Sequence, residues 1–303
     1  MTEAQPAAIA FIGLGQMGLP MARRLLAAGF SVRGHDVSAA ACDAFTQSGG
    51  TAFASAGAAA QGVATIVTML PNGRIVHDVL LGAGHAAAAL APGSLAIDMS
   101  SSAPTDTQAL GCVLAERGVA LIDAPVSGGV RRASDGTLAI MAGGSAADVE
   151  RARPMFQAMG RTVIATGPLG SGHAMKALNN YVSATGLVAA GEALQVGQAF
   201  GLAPETVIDV LNASTGRNNA TDVKMKQFVV SGSFASGFSL ALMAKDVRTA
   251  ADLAAHLGID AAGIAASAAL WEAALDDLGA AADHTEICRF LAARAARQFT
   301  GEM

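Results

Sequence analysis

The sequence predicts an α/β domain with a doubly wound sheet, followed by an all-α domain, the two joined by one long helix. Three observations predict it. Short β-type runs alternate with helical stretches through the first half of the 303 residues. A glycine-rich turn stands directly between the first such run and the first helix. From about Gly172 the β signal ends, and Ala-, Leu- and Val-rich sequence with helical spacing takes over. The expected division is 1–168 and 169–303, with no Pro-, Ser- or charge-rich linker between the halves.

The elements follow in order. Ala8–Ile12 reads as a strand, Pro20–Ala28 as a helix and Ser31–Asp36 as a second strand. Further strands are expected over Thr65–Leu70, Leu95–Met99, Ala120–Ala124 and Leu138–Ala142, each apolar enough to be buried on both faces. Ser145-Ala146-Ala147-Asp148 has the spacing of a capping box for a helix through Met159. One helix is expected from about Gly172 to Phe200. It is punctuated at Gly201-Leu202-Ala203-Pro204, where Pro204-Glu205 suits a new helix start, and a further break comes at Ser231-Gly232-Ser233.

Gly13-Leu14-Gly15-Gln16-Met17-Gly18 has the GxGxxG spacing in the one context that gives it meaning, strand before and helix after. Gly13 can make the tight turn, Gly15 lets the backbone approach a pyrophosphate, and Gly18 permits close helix–strand packing. The helix N-terminus offers amides to the anion. The first domain is therefore read as a Rossmann-type dinucleotide-binding domain. Asp36, at the end of the second strand, is placed to accept hydrogen bonds from the adenosine ribose. It would repel a 2′-phosphate by roughly 1–4 kcal/mol at contact. Val37 follows it, not an arginine, and strand alternation puts Arg33 on the opposite face. NAD is expected as cofactor over NADP.

Composition excludes several classes. Hydrophobic residues make up 52% and charged residues 14%, with mean hydropathy +0.44. Yet every apolar run is broken before the ~20 residues a membrane span needs. Met1–Ala8 lacks the charged-then-apolar pattern of a secretory leader, so a cytoplasmic protein is expected. A net charge of −5 without a basic cluster speaks against nucleic acid. Cys42, Cys112 and Cys288 lack metal-ligand spacing and read as small buried hydrophobes. The histidines are scattered, and no metal site is expected. The apolar, alanine-rich second half points to subunit packing as a homodimer or homotetramer.

The run Gly172-His173-Ala174-Met175-Lys176-Ala177-Leu178-Asn179-Asn180 carries the chemistry. On a helix Gly172, Lys176 and Asn180 share a face. A lysine among Ala, Leu and Met can be partly desolvated, which brings an ammonium towards proton exchange at neutral pH. Gly172 reads as the place where a substrate passes close to the backbone. Ser127-Gly128-Gly129 can present a hydroxyl and consecutive amides to an anion, since glycine removes the steric obstacle to such a turn. Lys245-Asp246, taken alone, reads equally as an exposed ion pair.

Four segments together resemble the β-hydroxyacid dehydrogenase family, the group of 3-hydroxyisobutyrate dehydrogenase and tartronate semialdehyde reductase. They are Phe11 through Ala22, Asp123-Ala124-Pro125-Val126-Ser127-Gly128-Gly129, Gly172 through Asn180, and Lys245-Asp246-Val247-Arg248. The resemblance implies Lys176 as general acid/base, with Asn180 holding it and the substrate. It implies Ser127 with Gly128 and Gly129 on the substrate carboxylate, Lys245 at the nicotinamide end, and Asp246 supporting it. Leu70-Pro71 and the Asp98-Met99-Ser100-Ser101 turn would add cofactor contacts. Ser101 stands where many relatives carry threonine, and Arg217-Asn218-Asn219 departs from the pattern where substrate subclasses differ. The expected activity is reversible, NAD-dependent oxidation of a short 3-hydroxy acid to its semialdehyde or keto acid. Two rivals were weighed: an NADPH-preferring reductase of a semialdehyde, ketone or imine on the same fold, and a non-catalytic dinucleotide-binding interaction module.

Overall fold

The computed structural model describes residues 8–82 and 85–300, the last four of these as backbone only. The N-terminal segment read for a leader lies, up to Ala7, outside the described residues. The chain divides into two compact units, Met1–Lys176 and Ala177–Met303.

In the first unit the strands β1 (Ile9–Ile12), β2 (Val32–His35), β3 (Thr51–Ala52), β4 (Thr65–Thr68), β5 (Leu95–Asp98) and β6 (Ala120–Asp123) pair in parallel in the order 3-2-1-4-5-6. Both faces are buried, as the unbroken apolar runs require. Phe11, Val67, Ile97 and Ile122 belong to one core, and Ala10, Ile12, Ile66, Ala96 and Leu121 to the other. The register is level: Ile12 pairs with His35 and Thr68, Thr68 with Asp98, and Asp98 with Asp123. The carboxyl ends of the strands therefore form one row, the edge where open α/β sheets bind ligands.

Beyond β6 the sheet departs from a purely wound pattern. β7 (Val126–Ser127) and β8 (Leu138–Gly143) pair antiparallel, β8 also meets β6 antiparallel at Asp123–Gly143, and β9 (Gly160–Gly167) pairs in parallel with β8. β3, β7 and β9 escape a reading by hydrophobic pattern. Two of them are two residues long, and most of β9 faces solvent, Ile164 included.

The helices of this unit are α1 (Gly18–Ala27), α2 (Ala39–Gln47), α3 (Ala56–Ala60), α4 (Gly73–Leu80), α5 (Pro104–Ala115), α6 (Gly129–Asp135) and α7 (Ala146–Met159). Ser38, Ser55 and Asn72 cap α2, α3 and α4 by accepting a backbone N–H, each cap worth about 1 kcal/mol. The expected capping box at α7 is half closed. Ser145 Oγ accepts from Asp148 N (3.1 Å), but the same hydroxyl donates to the Asp148 carboxylate (2.5 Å). An aspartate is one methylene short of the reach that glutamate has in that motif.

Helix α8 (Ser171–Phe200) runs 30 residues, about 45 Å at 1.5 Å per residue, and Lys176 is the last residue it gives to the first unit. The second unit continues with α9 (Pro204–Ala213), which has proline in its first turn. A π-helical segment, Ala220–Val230, follows, then α10 (Leu240–His256), α11 (Ala262–Leu278) and α12 (Ile287–Thr300). Their core gathers Leu187, Ile208, Met225, Val247 and Ile287 around a fully buried Trp271. Ala184, Ala190, Ala244, Ala268 and Ala274 are buried with them, so the alanine enrichment serves close helix approach. The reading of the cysteines is corrected in part. Cys288 is buried, and burial pushes its thiol up to about 12, but Cys42 is half-buried and Cys112 exposed.

Candidate active site

The glycine turn sits at the carboxyl end of β1. Gly13 has φ +97°, and a Cβ there would lie 2.2 Å from Met69 O; a Cβ on Gly18 would lie 1.9 Å from Gly13 O. Those two glycines are demanded by packing. Gly15 is exposed, and a Cβ on it would meet nothing within 4 Å. The protein gives no reason for the middle glycine; an approaching pyrophosphate does. Helix α1 starts with no side-chain cap from Met17, which leaves its end suited to an anion. The turn thus fits a dinucleotide. Asp36 closes it from the end of β2, accepting from Leu14 N (2.6 Å) through Oδ2 and from Ser38 N (2.8 Å) through Oδ1. Each carboxylate oxygen keeps acceptor capacity for a ribose hydroxyl. Arg33 is spent elsewhere, donating to Gln61 O (2.7 Å) with its guanidinium 5.6 Å from the Phe53 ring centre.

Along the strand row, Asp98 ties the ends of β4 and β5 together. It accepts from Thr68 Oγ1 (2.9 Å), Ser100 N (3.0 Å) and Ser102 Oγ (2.8 Å), and Ser100 Oγ accepts from Leu70 N (2.9 Å). Leu70 and Ser101 are half-buried and Pro71 exposed on this edge. Ser127 ends β7, half-buried, and Gly128 and Gly129 follow at φ +136° and +67°. Two consecutive left-handed residues explain the paired glycines.

Next in the row, the wholly buried Asp123 receives the start of α8. Its Oδ1 accepts from Gly170 N and its Oδ2 from His173 N, both at 2.7 Å. Charge at a helix N-terminus and two amide donors stabilise this carboxylate without any cation. Here the reading of Gly172 is corrected. A Cβ on it would lie 2.4 Å from Met141 O and 2.9 Å from Asp123 O. Gly172 is small because the helix packs onto strand ends, not to admit a substrate. His173 is buried beside it, Nδ1 2.7 Å from Thr107 Oγ1 and Nε2 3.7 Å from Asp98 Oδ2. Pattern reading passed over this histidine, since a lone histidine carries no spacing signal.

One turn after Lys176, which is half-buried, stands the buried Asn180. Its Nδ2 donates to Asp246 Oδ2 (2.5 Å) and its Oδ1 accepts from Asn179 Nδ2 (3.1 Å). The carboxylate fixes which end of the amide is nitrogen. Lys245 Nζ lies 3.4 Å from Asp246 Oδ1. The exposed-pair reading of Lys245-Asp246 is thereby overturned for the aspartate, which is 3% exposed. Arg248, by contrast, makes a two-pronged surface bridge to Glu272 (2.5 Å for each prong).

Sequence reading also missed Lys224, in the π-helical segment. Its Nζ donates to Ser183 Oγ (3.2 Å), and burial lowers its pKa to about 8 against the opposing pull of Asp283. A signal was present: the chain has four lysines against fifteen arginines, and Lys176, Lys224 and Lys245 all touch or share a face with this part of α8.

Comparison with known proteins places this arrangement. Residues 8–167 match the NAD binding domain of 6-phosphogluconate dehydrogenase, and residues 170–291 the NAD-binding domain of NADP-dependent 3-hydroxyisobutyrate dehydrogenase. NAD-dependent L-serine dehydrogenase of Pseudomonas aeruginosa is 39% identical, over 81% of this chain and 85% of its own. 2-(Hydroxymethyl)glutarate dehydrogenase of Eubacterium barkeri is also 39% identical, over 80% of both. The structure of Mycobacterium tuberculosis 3-hydroxyisobutyrate dehydrogenase with L-serine superposes with a TM-score of 0.87 at 33% identity, covering 94% of this chain and 99% of that one.

Proposed function

The chain belongs to the β-hydroxyacid dehydrogenase family, and from that membership and the geometry above we infer the role of each site residue. It is an NAD-dependent oxidoreductase acting on the CH–OH group of a small hydroxy acid. We propose a short 3-hydroxy acid as the substrate, oxidised reversibly to the semialdehyde or keto acid. In this proposal residues 1–168 serve the cofactor and 169–303 the substrate and subunit contacts.

NAD, when bound, supplies the hydride acceptor. The loop Gly13 to Gly18, Asp36, Leu70, Pro71, Ser101 and Lys245 would hold it. Ser127 Oγ and the amides of Gly128 and Gly129 take the substrate carboxylate. The second N–H of Asn180 is directed at the substrate hydroxyl, because Asp246 holds the first. Lys176 Nζ accepts the hydroxyl proton in oxidation and returns it in reduction. The observation that carries this reading is the pinned Asn180 amide one helical turn from Lys176. Lys176→Ala should lower turnover by roughly two to four orders of magnitude, followed at 340 nm with a panel of hydroxy acids and both NAD and NADP. Near-normal turnover in that variant would refute the mechanism, and equal use of NADP would refute the role given to Asp36.

A homo-oligomer belongs to the same proposal. Met175, Val182 and Val196 recur at seven-residue spacing on α8, exposed by 43%, 67% and 71%, with Phe200 at 86%. An apolar stripe along a long helix is the usual mark of a subunit seam. Sedimentation at micromolar concentration should give a dimer or tetramer; a monomer would count against it. Among the described residues no helix is long and apolar enough to cross a membrane, and a cytoplasmic location, checked by cell fractionation, completes the proposal.

A further inference from the structure

Of the lysines on or facing this stretch of α8, Lys176 and Lys245 have roles in the reading above and Lys224 has none. We propose that Lys224, with Ser183, is a second anion-recognition point one turn beyond Asn180, and that the substrate is a hydroxy acid bearing a second acidic group three to four bonds from its carbinol. The inference rests on the family reading of Lys176 and Asn180.

Ser183 follows Asn180 by three residues and Lys176 by seven, so all three lie on one face of α8. Lys224 reaches that face through its hydrogen bond to Ser183 Oγ (3.2 Å). The preceding residues run along the same helix: a Cβ on Gly186 would meet the Asn218 amide at 3.4 Å. The Asn218 side chain is already occupied, accepting from Ala220 N and Thr221 N and donating to Gly216 O.

The charge balance at Lys224 is incomplete. An ammonium has three donors, and Ser183 takes one. Among the described residues no carboxylate lies within 4.0 Å of it. The nearest influence is Asp283, whose two oxygens are already engaged by Ser236 Oγ, Gly237 N, Thr285 N and Thr285 Oγ1. Lys226, two residues on, is the ordinary case: exposed and bridged to Asp209. A half-buried cation without a counter-ion is unfavourable unless a ligand supplies one. With a pKa near 8, Lys224 is still mostly charged at neutral pH. Residues one turn apart are roughly 5–6 Å from each other, the span of a three- or four-bond arm between carbinol and acid.

The test uses three acids of one skeleton: 3-hydroxyisobutyrate, 2-(hydroxymethyl)glutarate, in which a carboxyethyl arm replaces the methyl, and 2-(hydroxymethyl)pentanoate, whose propyl arm has similar length and no charge. The native enzyme should prefer the carboxyethyl to the propyl arm by about tenfold or more in kcat/KM, mainly through KM. Lys224→Met should abolish that preference and Lys224→Arg retain part of it. Labelling with an amine-reactive reagent, read lysine by lysine by mass spectrometry, gives a measure independent of turnover: the carboxyethyl acid should protect Lys224 and the propyl acid should not. A preference that survives Lys224→Met, or equal loss for all three acids, would overturn the proposal, the latter because Lys224 would then serve the carboxylate they share. If none of the three is oxidised, the dehydrogenase reading fails, and the labelling result still decides whether Lys224 binds the second acid.

Discussion

Two buried aspartates hold opposite stretches of helix α8, and they do so by different means. Asp123, in the first unit, accepts from two backbone amides, Gly170 N and His173 N, at 2.7 Å. Asp246, in the second, accepts from two side chains, the Asn180 amide at 2.5 Å and the Lys245 ammonium at 3.4 Å. Backbone donors at the start of a helix cannot turn away, whereas side-chain donors can rotate and a half-exposed lysine can return to water. The first carboxylate therefore belongs to the fold, and the second sets the direction of a functional group.

The like-for-like way to break this contrast is to change each carboxylate to an amide. Asp123→Asn must point an NH2 group at one of two fixed N–H donors, and should lower stability by about 2–4 kcal/mol in urea unfolding. Asp246→Asn lets Lys245 move aside. Its stability should change by about 1 kcal/mol or less, while turnover falls about 10- to 100-fold as Asn180 loses its orientation. Equal losses of stability in the two variants would end the distinction. Gly172→Ala probes the rigid end further. The gain in helix propensity, about 1 kcal/mol, opposes the clash of a Cβ 2.4 Å from Met141 O, for a net loss of about 1–2 kcal/mol by thermal unfolding. The smallest effect is expected at Lys224, and it has the opposite sign. Its folded pKa is lowered from 10.5 to about 8 by burial, so between those values the unfolded chain holds a proton that the folded chain has released. Stability from this group rises with pH across that window. Lys224→Met should accordingly stabilise the protein at pH 7, by about 1–2 kcal/mol after screening, and make no difference above about pH 10.5. Destabilisation at pH 7 would show that the Ser183 contact outweighs the burial of charge.

Much of this was legible in the sequence. Strands buried on both faces announce themselves as apolar runs, so β1, β2, β4, β5, β6 and β8 were readable, and so was a helix reaching Phe200. The glycine turn was readable because φ +97° at Gly13 and the closeness of Gly18 to Gly13 O leave no other residue a place. Lys176 and Asn180 were readable because helical spacing converts number into direction. Gly172 was read correctly as small and wrongly as to cause, since a sequence shows that a side chain is missing and not what fills the space. Asp123 and His173 could not be found by pattern: the amides of Gly170 and His173 that Asp123 binds lie 47 and 50 residues away. Only the level register of the sheet brings them together.

The π-helical segment Ala220–Val230 makes the position of Lys224 hereditary in an unusual way. Each of its hydrogen-bonded rings closes one residue later than in an α-helix. Loss of a single residue would therefore tighten the coil and swing everything before or after it to another side. Point substitutions can alter what stands opposite Ser183, but a one-residue deletion would change which residue stands there. Divergence of substrate choice within this fold has a route open to it in insertion and deletion, leaving the sheet, the glycine turn and α8 as they are.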